Sequence, residues 1–111
     1  MTKTEKLLTW LNIPKYYRGY RRLAYILELA LEDEGRMDAI TKELYMAASE
    51  KFNCHWTAVE HSSRTALYVA WKRKPERLEQ IMGYRLFCQP SVSEFLSAAI
   101  AYLQQNPVPT L

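Results

Sequence analysis

Apolar residues recur at three- and four-residue intervals along almost the whole chain, and this spacing constrains the fold more than any other feature. A helix brings positions i, i+3, i+4 and i+7 onto one face, so the pattern predicts amphipathic helices packed around a shared core. Residues 3–11 place Leu7, Leu8 and Leu11 together. The longest stripe runs from Pro14, a residue suited to a first helical turn, to about residue 34. It comprises Tyr16, Tyr17, Tyr20, Leu23, Ala24, Leu27, Ala30 and Leu31, with Gly35 as the expected stop. Its acidic end, Glu32-Asp33-Glu34, opposes the helix dipole and calls for a partner cation or solvation. Asp38 is positioned to cap a third helix over residues 39–52, with Ile40, Leu44, Ala47, Ala48 and Phe52 inward. Residues 53–56 read as a short connection. Thr57-Ala58-Val59-Glu60 then fits the S/T-x-x-E capping box and predicts a fourth helix to about Arg73, ended by Pro75. Residues 76–82 read as a short helix stopped by Gly83. The last helix, residues 92–104, is capped by Ser93 or Ser91 and carries Val92, Phe95, Leu96, Ala99, Ile100 and Leu103. Extended structure is confined to residues 84–88. The expected fold is an all-α compact bundle of about six helices, a single domain over residues 1–105 with a flexible tail at 106–111.

Composition removes several classes of function. The chain has 111 residues, enough for one domain, and 3 Gly with 5 Pro, too few for collagen or low-complexity sequence. The apolar stretch at residues 23–31 is broken by Glu28 and is too short to span a bilayer, and residues 1–11 lack a signal peptide's apolar segment. The expected location is the cytoplasm. Cys54 and Cys88 form no CxxC pair and lack the partners of a zinc site, so two reduced thiols are the favoured reading. No Ser/His/Asp set, paired-carboxylate setting or Gly-rich phosphate loop is present; no enzyme activity, metal or cofactor is expected.

The formal net charge of +3 says little until it is divided along the chain. Residues 1–54 carry a net +1, residues 55–74 a net +3, and residues 75–111 a net −1. The excess sits on the fourth helix, with both histidines, His55 and His61. A second basic run, Lys15, Arg18, Arg21 and Arg22, contains no acid; it reads as a solvated face or a flanking DNA contact.

The third helix, the turn and the fourth helix together match a helix-turn-helix. On the fourth helix, Val59, Ser62, Ser63, Ala66 and Ala70 share a compact side. Thr57, His61, Arg64, Thr65, Tyr68 and Lys72 share the opposite one, flanked by Glu60. A recognition helix needs this division between a close-packing side and a side that reaches base edges. In that role Arg64 would bind guanine through two hydrogen bonds and Glu60 would accept from a cytosine amino group. His61 and Thr65 would meet bases or phosphate. Lys72, Arg73 and Lys74 would meet phosphates, as would Lys42 in the third helix. The competing reading is a merely solvated helix face. His55 in the turn reads as a phosphate or solvent contact, and Tyr45 and Trp71 as packing residues.

The ordered residues Ile13-Pro14, Arg18-Gly19-Tyr20 with Leu23, Ile40-Thr41-Lys42 with Leu44-Tyr45, and Lys51-Phe52-Asn53 lead to a strongest piece. That piece is Val59-Glu60 with Arg64, Ala66 and Val69-Ala70-Trp71, followed by Gly83-Tyr84 and Ser93-Glu94-Phe95. In this set the chain resembles the C-terminal effector domain of the sporulation master response regulator (stage zero sporulation protein A) family of endospore-forming bacteria. The resemblance runs from about Leu7 to Leu103. It implies a six-helix domain, sequence-specific binding to double-stranded DNA and control of transcription. It also implies a homodimer contact on DNA and a surface for the RNA polymerase sigma subunit near residues 75–86. Glu60 and Arg64 match family contact positions. Where the family favours arginine, arginine and histidine, this chain has Ala58, His61 and Thr65, which implies a different site preference and lower affinity.

A chain that enters the effector domain within a few residues of Met1 is expected to act without a phosphoacceptor receiver. The sequence therefore supports a DNA-binding transcriptional regulator. The alternative is a protein-interaction module that antagonises or titrates a related regulator or the polymerase. The amphipathic last helix offers an apolar face for self-association.

Overall fold

The computed structural model describes residues 1–106, and among them the regular structure is entirely helical. The α-helices are α1 (Lys3–Trp10), α2 (Arg18–Glu32), α3 (Met46–Phe52), α4 (Trp56–Arg73), α5 (Pro75–Met82) and α6 (Val92–Gln105). The all-α expectation holds. Residues 84–88, read as extended, form no strand. Of the expected tail, 107–111 lies outside the described residues, and Asn106 serves as the C-cap of α6.

Helix α1 begins with a reciprocal cap. The Thr2 hydroxyl accepts from the Glu5 amide at 3.2 Å, and the Glu5 carboxylate accepts from the Thr2 amide at 3.0 Å. The Thr2 amide bond, joined by one the Thr2 hydroxyl donates at 3.0 Å, favours the ionised Glu5 carboxylate and holds its pKa below the usual value. Buried Thr4 donates to Glu28 at 2.8 Å and ties α1 to α2. Arg77 of α5 donates to the Trp10 carbonyl at 2.6 Å and lies over the Trp10 ring at 5.1 Å, fastening α5 to α1.

Helix α2 runs through the middle and packs against α1, α3, α4 and α6. It begins at Arg18, four residues later than Pro14 suggested, because residues 15–17 form a turn. Tyr16, read into the apolar stripe, is therefore 82% exposed. The acidic end of α2 receives the cation its dipole called for: Arg36 donates to the Leu29 carbonyl at 2.6 Å. Gly35 does not stop the helix. Asp33 does, and its carboxylate accepts from the Gly35 amide as a 3₁₀ turn, Glu34–Ala39, begins.

The expected third helix is a composite. The 3₁₀ turn passes into a π-helical segment, Thr41–Tyr45, and only then into α3. Asp38 caps nothing. The change of pitch buries Leu44, Tyr45 and Ala48, while Ile40, Ala47 and Phe52 are half-buried.

Helix α6 is capped by Ser91, whose hydroxyl accepts from the Glu94 amide at 3.1 Å, so Ser91 and not Ser93 is the cap. Its stripe of Val92, Phe95, Leu96, Ala99, Ile100 and Leu103 is at most 5% exposed. That face is filled by the chain's own core and leaves nothing spare for self-association.

Candidate nucleic-acid interface

Helix α3 ends where Asn53 takes a left-handed conformation, φ 52°, which the short polar Asn tolerates. A three-residue turn, 53–55, leads into α4. The helix starts two residues earlier than the Thr57 capping box required, at Trp56 and not Ala58. His55 is the N-cap, its Nδ1 accepting from the Thr57 amide at 3.3 Å and meeting the Thr57 hydroxyl at 2.8 Å. His55 thus caps α4 through Nδ1, and its ring remains exposed in the turn. Trp56, freed to stand at the first helical position, stacks on Tyr45 with ring centroids 6.3 Å apart and planes 4° apart. This stack joins the π-helical segment to the start of α4.

The inner side of α4 is buried at Val59, Ser63, Ala66, Leu67, Val69 and Ala70. Leu67 completes a side whose smaller members the spacing had identified. The Ser63 hydroxyl is buried and has no hydrogen-bond partner, a cost of about 1–3 kcal/mol that close helix packing must offset. Helix α2 crosses here so closely that Gly19 lies against the Ser62 carbonyl, where a Cβ would come within 2.0 Å. Arg22 seals the crossing, donating to the Ala58 carbonyl at 3.2 Å and the Ser62 hydroxyl at 3.0 Å. Of the basic run at 15–22, Arg22 is therefore committed to the fold. Lys15, Arg18 and Arg21 are exposed.

Thr57, His61, Arg64, Thr65, Tyr68, Lys72 and Arg73 are exposed on α4, and Glu60 is partly so. Glu60 pairs with Arg64 at 3.3 Å, one helical turn apart, the one ion pair among the described residues. Arg64 also lies 3.3 Å from His61 Nδ1. An exposed pair of this kind contributes about 0.3–0.5 kcal/mol, whereas a bidentate base contact contributes about 1–3 kcal/mol. Arg64 can therefore leave Glu60 for a guanine at small cost, and meanwhile the pair holds it outward. The Thr65 hydroxyl donates back to the His61 carbonyl at 3.1 Å. The Lys72 ammonium lies over Trp71 at 5.5 Å and Tyr68 at 5.8 Å. Lys42 is exposed on the π-helical segment, which packs against α4 but extends no bond to its outer face.

Three residues support this face: Tyr45, read as packing, and two whose part the spacing did not signal, Gln89 and Arg22. Tyr45 is 6% exposed; burial pushes its phenol up to about 12, with the Glu60 carboxylate adding to the rise and Arg64 opposing it. It thus lies within the field of the ion pair. Gln89, in the loop before α6, donates to the Arg64 carbonyl at 2.8 Å. Arg22 is the third. Each joins positions far apart in sequence, which helical periodicity does not encode.

Cys54 and Cys88 are free thiols, and no cluster of metal-binding side chains occurs among the described residues. No described helix is long and apolar enough to cross a membrane. A family model described as sporulation initiation factor Spo0A C terminal matches residues 4–103 of the 111.

Proposed function

Since the chain belongs to the sporulation initiation factor Spo0A C-terminal family, a family of DNA-binding effector domains and not of enzymes, we propose that it is a sequence-specific transcriptional regulator whose α4 reads the major groove. The observation that carries this reading is the division of α4: buried small and apolar residues on one side, and exposed hydrogen-bonding side chains on the other. Arg64 donates to guanine and Glu60 accepts from cytosine once the two separate. His61 and Thr65 meet bases or phosphate near the first turns, beside Thr57. Lys72, Arg73 and Lys42 meet phosphates and set the register. A helix-turn-helix covers a short site, so two copies on adjacent half-sites are proposed.

Binding of purified protein to duplex DNA across a salt series tests this. Affinity is expected to fall steeply and log-linearly with salt, by a factor of about ten or more between 50 and 200 mM. Absence of salt-sensitive binding at low ionic strength would reject the reading.

One observation favours a protein contact as well. Phe87 is 89% exposed and Tyr84 is 52% exposed, in the loop between α5 and α6. Such aromatics suit a protein interface; Tyr84 lies within, and Phe87 next to, the stretch where the polymerase sigma subunit contact is proposed. The same patch is where an antagonist of a related regulator would engage its target.

A further inference from the structure

We propose that the cleft between the start of α2 and the outer edge of α4 holds a backbone phosphate of the DNA duplex, with Arg18 as its cation. The proposal rests on the DNA-binding reading and extends it to a second element.

The cleft has a volume of about 370 Å³ and is lined on one side by Tyr17, Arg18 and Arg22, and on the other by His61 and Thr65. Those last two belong to the exposed side of α4, so anything seated here is continuous with what α4 touches. No carboxylate lines the cleft, although acids make up 12 of the 111 residues. Its charge comes from two guanidiniums. Arg22 is fixed to the Ala58 carbonyl and the Ser62 hydroxyl, so it supplies positive potential without being free to move. Arg18 is exposed and makes no hydrogen bond or ion pair among the described residues, so all its donors are free for an anion. The Gly19 contact brings the two helices together here; with a larger residue at 19, Arg18 and His61 would not share one cleft.

The chemistry selects a phosphate over a base edge. The groups not engaged elsewhere are the Arg18 guanidinium, the Tyr17 phenol and His61 Nε2, the potential is positive, and the cleft lies to the side of the face that projects Arg64. Guanidinium and phosphate match in charge and in bidentate geometry. Such a contact fixes how α4 enters the groove without reading sequence.

The test first selects the protein's preferred site from a random duplex library, then places a single uncharged methylphosphonate at each backbone position of a duplex carrying that selected site. Binding of the wild type and of Arg18→Gln is then measured across a salt series. Arg18→Gln is expected to weaken binding severalfold on selected and scrambled duplexes alike, and to reduce the salt slope by about one. One methylphosphonate position should weaken the wild type and have no further effect on the variant. Two results would overturn the proposal: wild-type affinity and slope in Arg18→Gln, or a loss confined to the selected sequence, which would make Arg18 a base contact. If the wild type binds DNA and Arg64→Ala impairs it while Arg18→Gln does not, this assignment fails and the parent reading stands. If the wild type shows no salt-sensitive binding, both fail.

Discussion

Gly19→Ala should lower the melting temperature by roughly 4–13 °C, against the usual direction of that substitution. Alanine is favoured over glycine by about 1 kcal/mol in a helix interior, and by no more than that in the first turn, where Gly19 stands. At position 19 the added methyl would stand 2.0 Å from the Ser62 carbonyl oxygen and 3.0 Å from the Ala66 Cβ. The first neighbour is backbone within a helix and cannot turn aside. Helices α2 and α4 must separate, which weakens the Arg22 bonds to Ala58 and Ser62 and opens the core beneath them. Overpacking of this kind costs about 1–3 kcal/mol and occasionally more, and a domain of this size loses about 4 °C per kcal/mol. Thermal unfolding followed by circular dichroism checks it. A variant as stable as the wild type would show that the two helices do not approach so closely.

Arg64→Ala should cost about 1–3 kcal/mol on the selected DNA site, a loss of roughly tenfold to a hundredfold, and should relax the preference at one base pair. The fold should be unaffected, because the side chain is 55% exposed and gives up only a surface ion pair with Glu60. Competition between the selected duplex and all single-base variants at one position supplies the readout. A uniform loss on every sequence would instead make Arg64 a phosphate contact. Lys72→Ala is the contrasting control, since a phosphate contact lowers affinity without changing sequence preference.

The architecture was legible because it follows from spacing. The stripes of α1, α2, α4 and α6 are continuous, and burial by a shared core leaves few other arrangements. The stop at Gly83 was legible for a local reason: it takes φ 83°, which glycine adopts without strain. Elsewhere local rules lost to tertiary contacts. Thr57 and Glu60 satisfy the capping-box pattern, yet Glu60 is drawn to Arg64 and Trp56 is drawn onto Tyr45, so the helix starts earlier and His55 caps it. Residues 39–52 have helical spacing, but burial of Leu44, Tyr45 and Ala48 accompanies a passage from 3₁₀ through π to α pitch. Periodicity alone does not contain that change.

The outer face of α4 was readable from composition and phase. Its support was not. Tyr45 lies within the field of the ion pair, Gln89 holds the Arg64 carbonyl, and Arg22 binds the back of the helix, at separations of 15 to 40 residues from their partners on α4.

The exposed side of α4 is proposed as the DNA-reading surface. Amide chemical-shift mapping of nitrogen-labelled protein during titration with the selected duplex tests it most directly. The largest changes are expected along α4 from Thr57 to Lys72, with further changes at Lys42 and Arg18. Changes confined to the loop around Phe87 and to α6, with α4 silent, would contradict it.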